Sequence, residues 1–321
     1  MSALGSWLDF QEVFMRLFGE KHSTKKIDGA GAEDRAKFLA TQPWKALEFS
    51  IPDHILSVPM KISDEEQTML AFIGSLTEGS GKLVELGALF GGPAACLAYG
   101  ASVNRATFDL HVYDFFSPPP QHGKKYLVDQ GSEDPDGDTL KLVSGFLAEF
   151  GDNVSLHKGG ILKTTLSGAI EVLHVDASKS DKQCDFIART FMPNLIAGQS
   201  TVIIQDFLMQ GHPWAIHMMY ALRDYFTYAA STEVNSALFI YNGGLTSKTE
   251  AIDRITTASD EDYINAVLWA AEFLPAESHR TSMARHISLI QDNPGGRHVS
   301  QFPNRDLSPE RLAKIAQDYG L

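Results

Sequence analysis

The chain is poor in cysteine and in positive charge, and it has no long apolar run. Its two cysteines, Cys96 and Cys184, are too few for a disulfide framework. A reducing cytoplasm is the simplest setting for such a chain. Lysine and arginine number 27 against 40 aspartate and glutamate, a net charge of −13. So acidic a surface repels phosphate backbones, which argues against nucleic acid as the main partner. No basic run offers a membrane or DNA patch. No window approaches the roughly 18 apolar residues of a membrane-spanning helix. The first residues, MSALGSWLDFQEVF, carry acids early and lack a charged start followed by an apolar stretch, so no signal peptide is expected. No internal repeat is visible.

The 321 residues are 44% hydrophobic, enough to bury one large core. Residues 1–60 read as helical and irregular. Phe10, Val13, Phe14, Leu17 and Phe18 fall at helical spacing, and Trp44, Leu47, Phe49 and Ile51 follow less regularly. Ser63 with Glu66 three residues on reads as a capping box opening a helix that buries Met69, Leu70, Phe72, Ile73 and Leu76. From there strands alternate with helices. The strands are KLVELG, FDLHVYDFF, NVSLHKG, IEVLHVDAS and STVIIQDF, followed by FTYAAS and SALFIYN. That alternation predicts a Rossmann-like α/β fold: a seven-stranded, mostly parallel sheet covered on both faces. The last pair is too closely spaced for a helical crossover, so its closing strand is antiparallel. Residues 246–321 form a helical extension. Helices begin at Ser259 and at Ser308–Pro309, and the stretch from His279 to Asn304 reads as loop with one possible strand at HISLI. The expected organisation is therefore an N-terminal helical segment (1–60) as lid or dimer interface, a core (61–245) and a C-terminal extension (246–321).

Ligands of open parallel sheets bind beyond the carboxyl ends of the strands. The first strand ends in VELGALFGG. Gly87 permits a sharp turn, and Gly91 and Gly92 permit close backbone approach to a ligand. Glu85 beside the turn suits a ligand carrying an ammonium or sulfonium group. The spacing E-x-G-x-x-x-G differs from the dinucleotide fingerprint. It resembles motif I of the class I S-adenosylmethionine (SAM) dependent methyltransferases. The second strand ends in Asp114, where that family places an acid that receives the ribose hydroxyls. The resemblance spans residues 60–245 and implies SAM as cofactor, with Glu85, Gly87, Gly91, Asp114 and Asp176 around it. Where the family often has an acid near the adenine, this chain has Gly159 and Gly160.

A second cluster lies at the ends of strands four and five. HVDASKS places Asp176 three residues before Lys179, and VIIQDF ends in Gln205 and Asp206. Two carboxylates from adjacent strands could converge on Mg²⁺, which would hold a substrate hydroxyl and lower its pKa. A lysine beside such a cation loses its proton more easily and can serve as base. The set resembles metal-dependent O-methyltransferases of the catechol and macrolide-sugar types. That resemblance implies Asp176, Asp206 and Gln205 as metal ligands and Lys179 as base. Phe207 stands where the catechol type has Asn, and Gln205 where the other type has an acid.

His212 is close enough in sequence to Asp206 to act as base or hydrogen-bond donor. His212 and His217 are five residues apart and do not share a helix face as paired zinc ligands would. His174, inside a strand, reads as a satisfied core residue, and the cysteines as buried inert thiols. The loop SPPPQHGKKYLVDQGSEDPDGD, carrying His122 and Tyr126, is placed to form part of a lid.

The expectation is a methyltransferase that moves a methyl group from SAM to a hydroxyl of a small molecule, a natural product or sugar. A homo-oligomer is compatible with the extra helices. The rival readings are N-methylation or non-methylating chemistry on the same fold, and a non-catalytic subunit. A nicotinamide dehydrogenase is disfavoured by Glu85.

Overall fold

The computed structural model describes residues 31–46, 50–105, 107–117, 138–209, 211–274, 277–302 and 307–321. The helix expected around Phe10–Phe18, and His122 and Tyr126, lie outside the described residues.

Seven strands form one sheet: β1 Lys82–Leu86, β2 Leu110–Asp114, β3 Val154–Lys158, β4 Ile170–Val175, β5 Thr201–Ile204, β6 Phe226–Ser231 and β7 Ala237–Tyr241. Their order is β3-β2-β1-β4-β5-β7-β6, with β7 antiparallel to both its neighbours and the other pairings parallel. This is the Rossmann-like sheet with an antiparallel closing strand that the spacing predicts. Order reverses between β1 and β4, so the crevice opens there, beyond Leu86 and Val175.

The strands read as apolar runs because both faces are covered. One face carries Leu83, Val112, Val172, Ile203 and Leu238, under α4 (Asp64–Ser75) and α5 (Gly92–Asn104). It also receives residues of the N-terminal segment: Leu39 from α1 (Ala32–Ala40), Trp44 from α2 (Pro43–Ala46) and Ile55 from α3 (Asp53–Leu56) are fully or almost fully buried in this layer. The capping box at Ser63 forms, with Glu66 Oε2 accepting from the Ser63 amide at 2.9 Å.

The other face carries Val84, Leu86, Leu173, Val175, Val202 and Phe239. It lies under α7 (Asp181–Thr190) and α8 (Pro213–Ala221), which the C-terminal helices α9 (Glu250–Thr257), α10 (Asp260–Phe273), α11 (Glu277–Asp292) and α12 (Pro309–Tyr319) extend. (α6 is the short helix Leu140–Phe146 between β2 and β3.)

One expectation fails here. The stretch around HISLI is neither loop nor strand; it lies inside α11. Met283, Ala284, Ile287 and Ile290 are buried at the three- and four-residue spacing of one helix face. That period extends beyond the short β-branched run and decides the structure. Among the described residues no helix is long and apolar enough to cross a membrane.

The contact of α4 with α5 depends on missing side chains. A Cβ at Gly100 would run into the carbonyl of Ala71, and one at Gly74 into the carbonyl of Leu97. Both obstacles are backbone, so neither can swing aside. Gly100→Ala is expected to cost about 1–3 kcal/mol as overpacking, read as a lower urea midpoint with an unchanged slope; an unchanged midpoint would show that the helices can separate freely.

Candidate functional site at the strand ends

The glycine loop is held by the chain itself. Gly87 and Gly91 have φ of +95° and +87°, where side chains are strained. A Cβ on Gly87 would meet the Asp176 carbonyl at 2.9 Å, and one on Gly91 would meet Val143 Cγ1 at 2.8 Å. A Cβ at Gly92 would strike Met60. These glycines thus admit neighbouring chain, where the sequence reading assigned Gly91 and Gly92 to ligand approach.

Asp114 is also engaged. Its Oδ2 accepts from the amides of Ala88 (2.8 Å) and Leu89 (3.0 Å), and its Oδ1 from Phe116 (2.6 Å). The expected ribose acceptor therefore pins the glycine loop to the end of β2 in this structure. Its residual acceptor capacity lies on Oδ1.

Glu85 differs. It is fully buried, and among the described residues neither carboxylate oxygen has a hydrogen-bond donor of good geometry. Strand register sets His174 beside it, with Nδ1 3.4 Å from Oε1. Burial raises the Glu85 pKa. For His174 burial acts downward, but Glu85 overrides it and the pKa rises. The pair therefore keeps a proton to higher pH than either group alone. His174 is not the satisfied core residue expected: both ring nitrogens lack a good partner. A buried acid next to the loop, paired with His174 but with no well-aligned donor among the described residues, fits a cationic ligand. Beyond β2 and β3, Phe115 is 62% exposed with its ring against Gly160, while a Cβ at Gly159 would meet nothing within 4 Å. This leaves an apolar ledge beside Gly159 and Gly160. Sequence reading missed Phe115, although an aromatic directly after a strand-terminal Asp was a visible signal.

At the ends of β4 and β5, Asp176, Lys179, Asp206 and His212 converge as expected. Lys179 Nζ donates to Asp176 Oδ1 at 2.8 Å and to Asp206 Oδ2 at 2.6 Å. His212, at the N-cap of α8, places Nδ1 3.6 Å from the same Asp206 oxygen. Asp206 itself has φ of +61°, an unusual backbone for a non-glycine residue. Burial acts against the charge of Asp206, but Lys179 overrides it and the pKa is lowered. Burial raises the carboxyl of Asp176 despite Lys179, and Asp206 adds to the rise. Burial would strip the Lys179 proton, yet the two carboxylates outweigh it and the ammonium is held more tightly than usual. This corrects the expectation of an easily deprotonated lysine. His212 is the neutral group: burial first, with Lys179 adding, lowers its pKa to about 4.

Gln205 does not join the cluster. It continues the alternation of β5 onto the opposite side, where its Nε2 donates to Glu66 Oε1 (3.1 Å) and its Oε1 lies 2.8 Å from Ser236 Oγ. Phe207 is fully buried. Two carboxylates spanned by an ammonium, with the third expected ligand occupied elsewhere, do not fit a divalent cation. Among the described residues no group of three or more His, Cys, Asp or Glu is arranged for a metal.

The C-terminal extension closes one flank of the site. The Val299 amide donates to the Lys179 carbonyl (3.0 Å), and Ser180 bridges His298. Trp214 stacks on His212, meets Phe302 edge-on and donates to the Ser178 carbonyl. His286 on α11 is fully buried; burial first, with His212 adding, lowers its pKa to about 3. Neither His286 nor this flank was found from sequence; extending the helical period through Met283 and Ile287 would have placed His286 on the buried face. His217 faces Tyr263, with ring centroids 4.9 Å apart. Cys96 and Cys184 are buried, and burial pushes the Cys96 thiol up to about 12.

No family model matches the sequence, and no curated protein matches it. The chain is similar to several solved structures. A Podospora anserina methyltransferase, PaMTH1, solved with S-adenosylhomocysteine (SAH) bound, shares 12% identity at a TM-score of 0.46, over 66% of this chain and 97% of that one. The O-methyltransferase NovP shares 15% at 0.43, over 66% and 98%. Coclaurine N-methyltransferase, solved with N-methylheliamine and SAH, shares 7% at 0.33, over 92% of each chain. These likenesses are distant, and the fold rests on the strand order itself: a Rossmann-like seven-stranded sheet closed by an antiparallel strand, the arrangement that the resemblance to class I methyltransferases implies.

Proposed function

We propose that the chain is a SAM-dependent methyltransferase acting on a hydroxyl oxygen of a small molecule. The observation that carries this reading is the convergence of His212 with the Asp206–Lys179–Asp176 array at the carboxyl ends of β4 and β5. SAM, when bound, supplies a methyl group on a sulfonium, open to in-line displacement. Glu85 would hold its positive charge, the Phe115 ledge its base, and Asp114, after giving up loop amides or through its remaining acceptor capacity, its ribose.

The protein's own work is orientation and proton removal. His212, uncharged down to about pH 4, accepts the acceptor's proton. Asp206 beside it stabilises the resulting imidazolium. Lys179 fixes both carboxylates and offers a positive charge to a developing alkoxide. The flank from Trp214 and Phe302 limits water. The acidic surface favours neutral or cationic small acceptors over polyanions.

The reading is tested by incubating the protein with SAM and a panel of hydroxylated small molecules under mass spectrometry. The expected result is an acceptor heavier by one methylene with stoichiometric SAH. Transfer only to amines would move the assignment to N-methylation, and SAM binding with no transfer to any acceptor would favour the non-catalytic reading.

A further inference from the structure

A divalent cation on hard oxygen ligands needs carboxylates that face one another across an open position. Between Asp176 and Asp206 the chain fills that position with its own ammonium, at 2.8 and 2.6 Å. Lys179 is not a loose surface lysine that has drifted there. Its amide donates to the Gln183 side chain at 3.1 Å, and its carbonyl accepts from Val299 at 3.0 Å. The backbone from which the side chain springs is therefore anchored from α7 on one side and from the C-terminal segment on the other. Asp206 adopts its left-handed backbone and presents Oδ2 to the same nitrogen. The ligand that would complete an oxygen shell is committed elsewhere, since Gln205 is tied to Glu66 and Ser236 beneath the sheet. For a metal to enter, two charge-assisted hydrogen bonds must break and the ammonium must leave, with no other carboxylate in contact with it among the described residues.

We infer that the ammonium of Lys179 replaces the divalent cation at this site. The intact chain takes neither Mg²⁺ nor Mn²⁺ there, and removing the ammonium turns Asp176 and Asp206 into a cation site. The inference rests on the geometry of these three side chains and goes beyond methyl transfer.

The test is titration of Mn²⁺ into the full chain, followed by the paramagnetic resonance signal of the free ion, with no SAM and no acceptor present. Its result is therefore independent of whether the chain transfers methyl groups. The wild type is expected to bind weakly, with a dissociation constant above about 1 mM, the weak end of oxygen-ligand sites. Lys179→Ala is expected to bind at least about tenfold more tightly, and Lys179→Ala combined with Asp206→Asn to lose that gain. Wild-type binding at tens of micromolar, or a Lys179→Ala affinity no better than wild type, overturns the inference. Should Lys179→Ala fail to fold, Lys179→Gln carries the same comparison, because it keeps a neutral donor without the charge.

Discussion

Replacing His212 by phenylalanine is expected to lower turnover on a hydroxyl acceptor by about 10²–10⁴-fold, the contribution of a positioned base, and to leave SAM affinity unchanged. Phenylalanine keeps the stack on Trp214, which holds the histidine ring at 5.8 Å between centroids. It removes the nitrogen that lies 3.6 Å from Asp206. The pH profile separates this base from an ordinary histidine. Burial and the neighbouring ammonium hold His212 near 4 against a usual 6.5, and its position at the N-terminus of α8 also opposes a second positive charge. The acid limb of kcat/KM, which reports the free enzyme, should therefore lie near pH 4. An acid limb at 6.5, or a variant with undiminished turnover, contradicts the assignment. The latter result would favour a neutral amine acceptor, which needs a base less than a hydroxyl does.

Acid should weaken the fold, and His217→Phe should relieve part of that loss. His217 is buried against Tyr263, and burial lowers its pKa from 6.5 to about 4, with Arg297 adding to the fall and Asp262 opposing it. In the unfolded chain the ring takes up a proton below 6.5, whereas in the folded chain it waits until about 4. The unfolded state thus binds more protons throughout that window, and stability falls as pH drops through it. The shift of about 2.5 units corresponds to about 3 kcal/mol. Glu85 and Asp176, whose carboxyls are raised, act in the opposite sense, so the comparison of variant with wild type isolates the histidine. Urea midpoints at pH 7 and pH 4 should show the variant gaining about 3 kcal/mol on the wild type between them. Parallel pH dependence would mean that His217 is solvated.

The strand ends were legible because each apolar run stops at a polar residue: Glu85 with Gly87, Asp114, Asp176, Asp206. The three-residue spacing of Asp176 and Lys179 was legible too, and so was the capping box at Ser63. What Lys179 does there was not. Its double bridge needs β4 and β5 side by side and Asp206 in a left-handed turn, and neither is a local property of the sequence. Gln205 illustrates a signal left unused: neighbours on a strand point to opposite faces, so Gln205 and Asp206 could not both enter one site without a break in the strand. Asp114 and the glycines lie at the strand ends where the sequence puts them; that they also hold chain to chain was not legible. His286 and Phe302 reach His212 and Trp214 from over 70 residues away in sequence, and no periodicity in a single chain reports such a contact.

The central claim is that the crevice beyond β1 and β2 holds SAM through the buried carboxylate of Glu85. Calorimetric titration of SAM and SAH into the wild type and Glu85→Gln tests it most directly. The account predicts roughly micromolar binding to the wild type, about −8 kcal/mol, and a loss of tenfold or more, about 1.4 kcal/mol, in the variant. The absence of binding heat for both ligands in the wild type would contradict it.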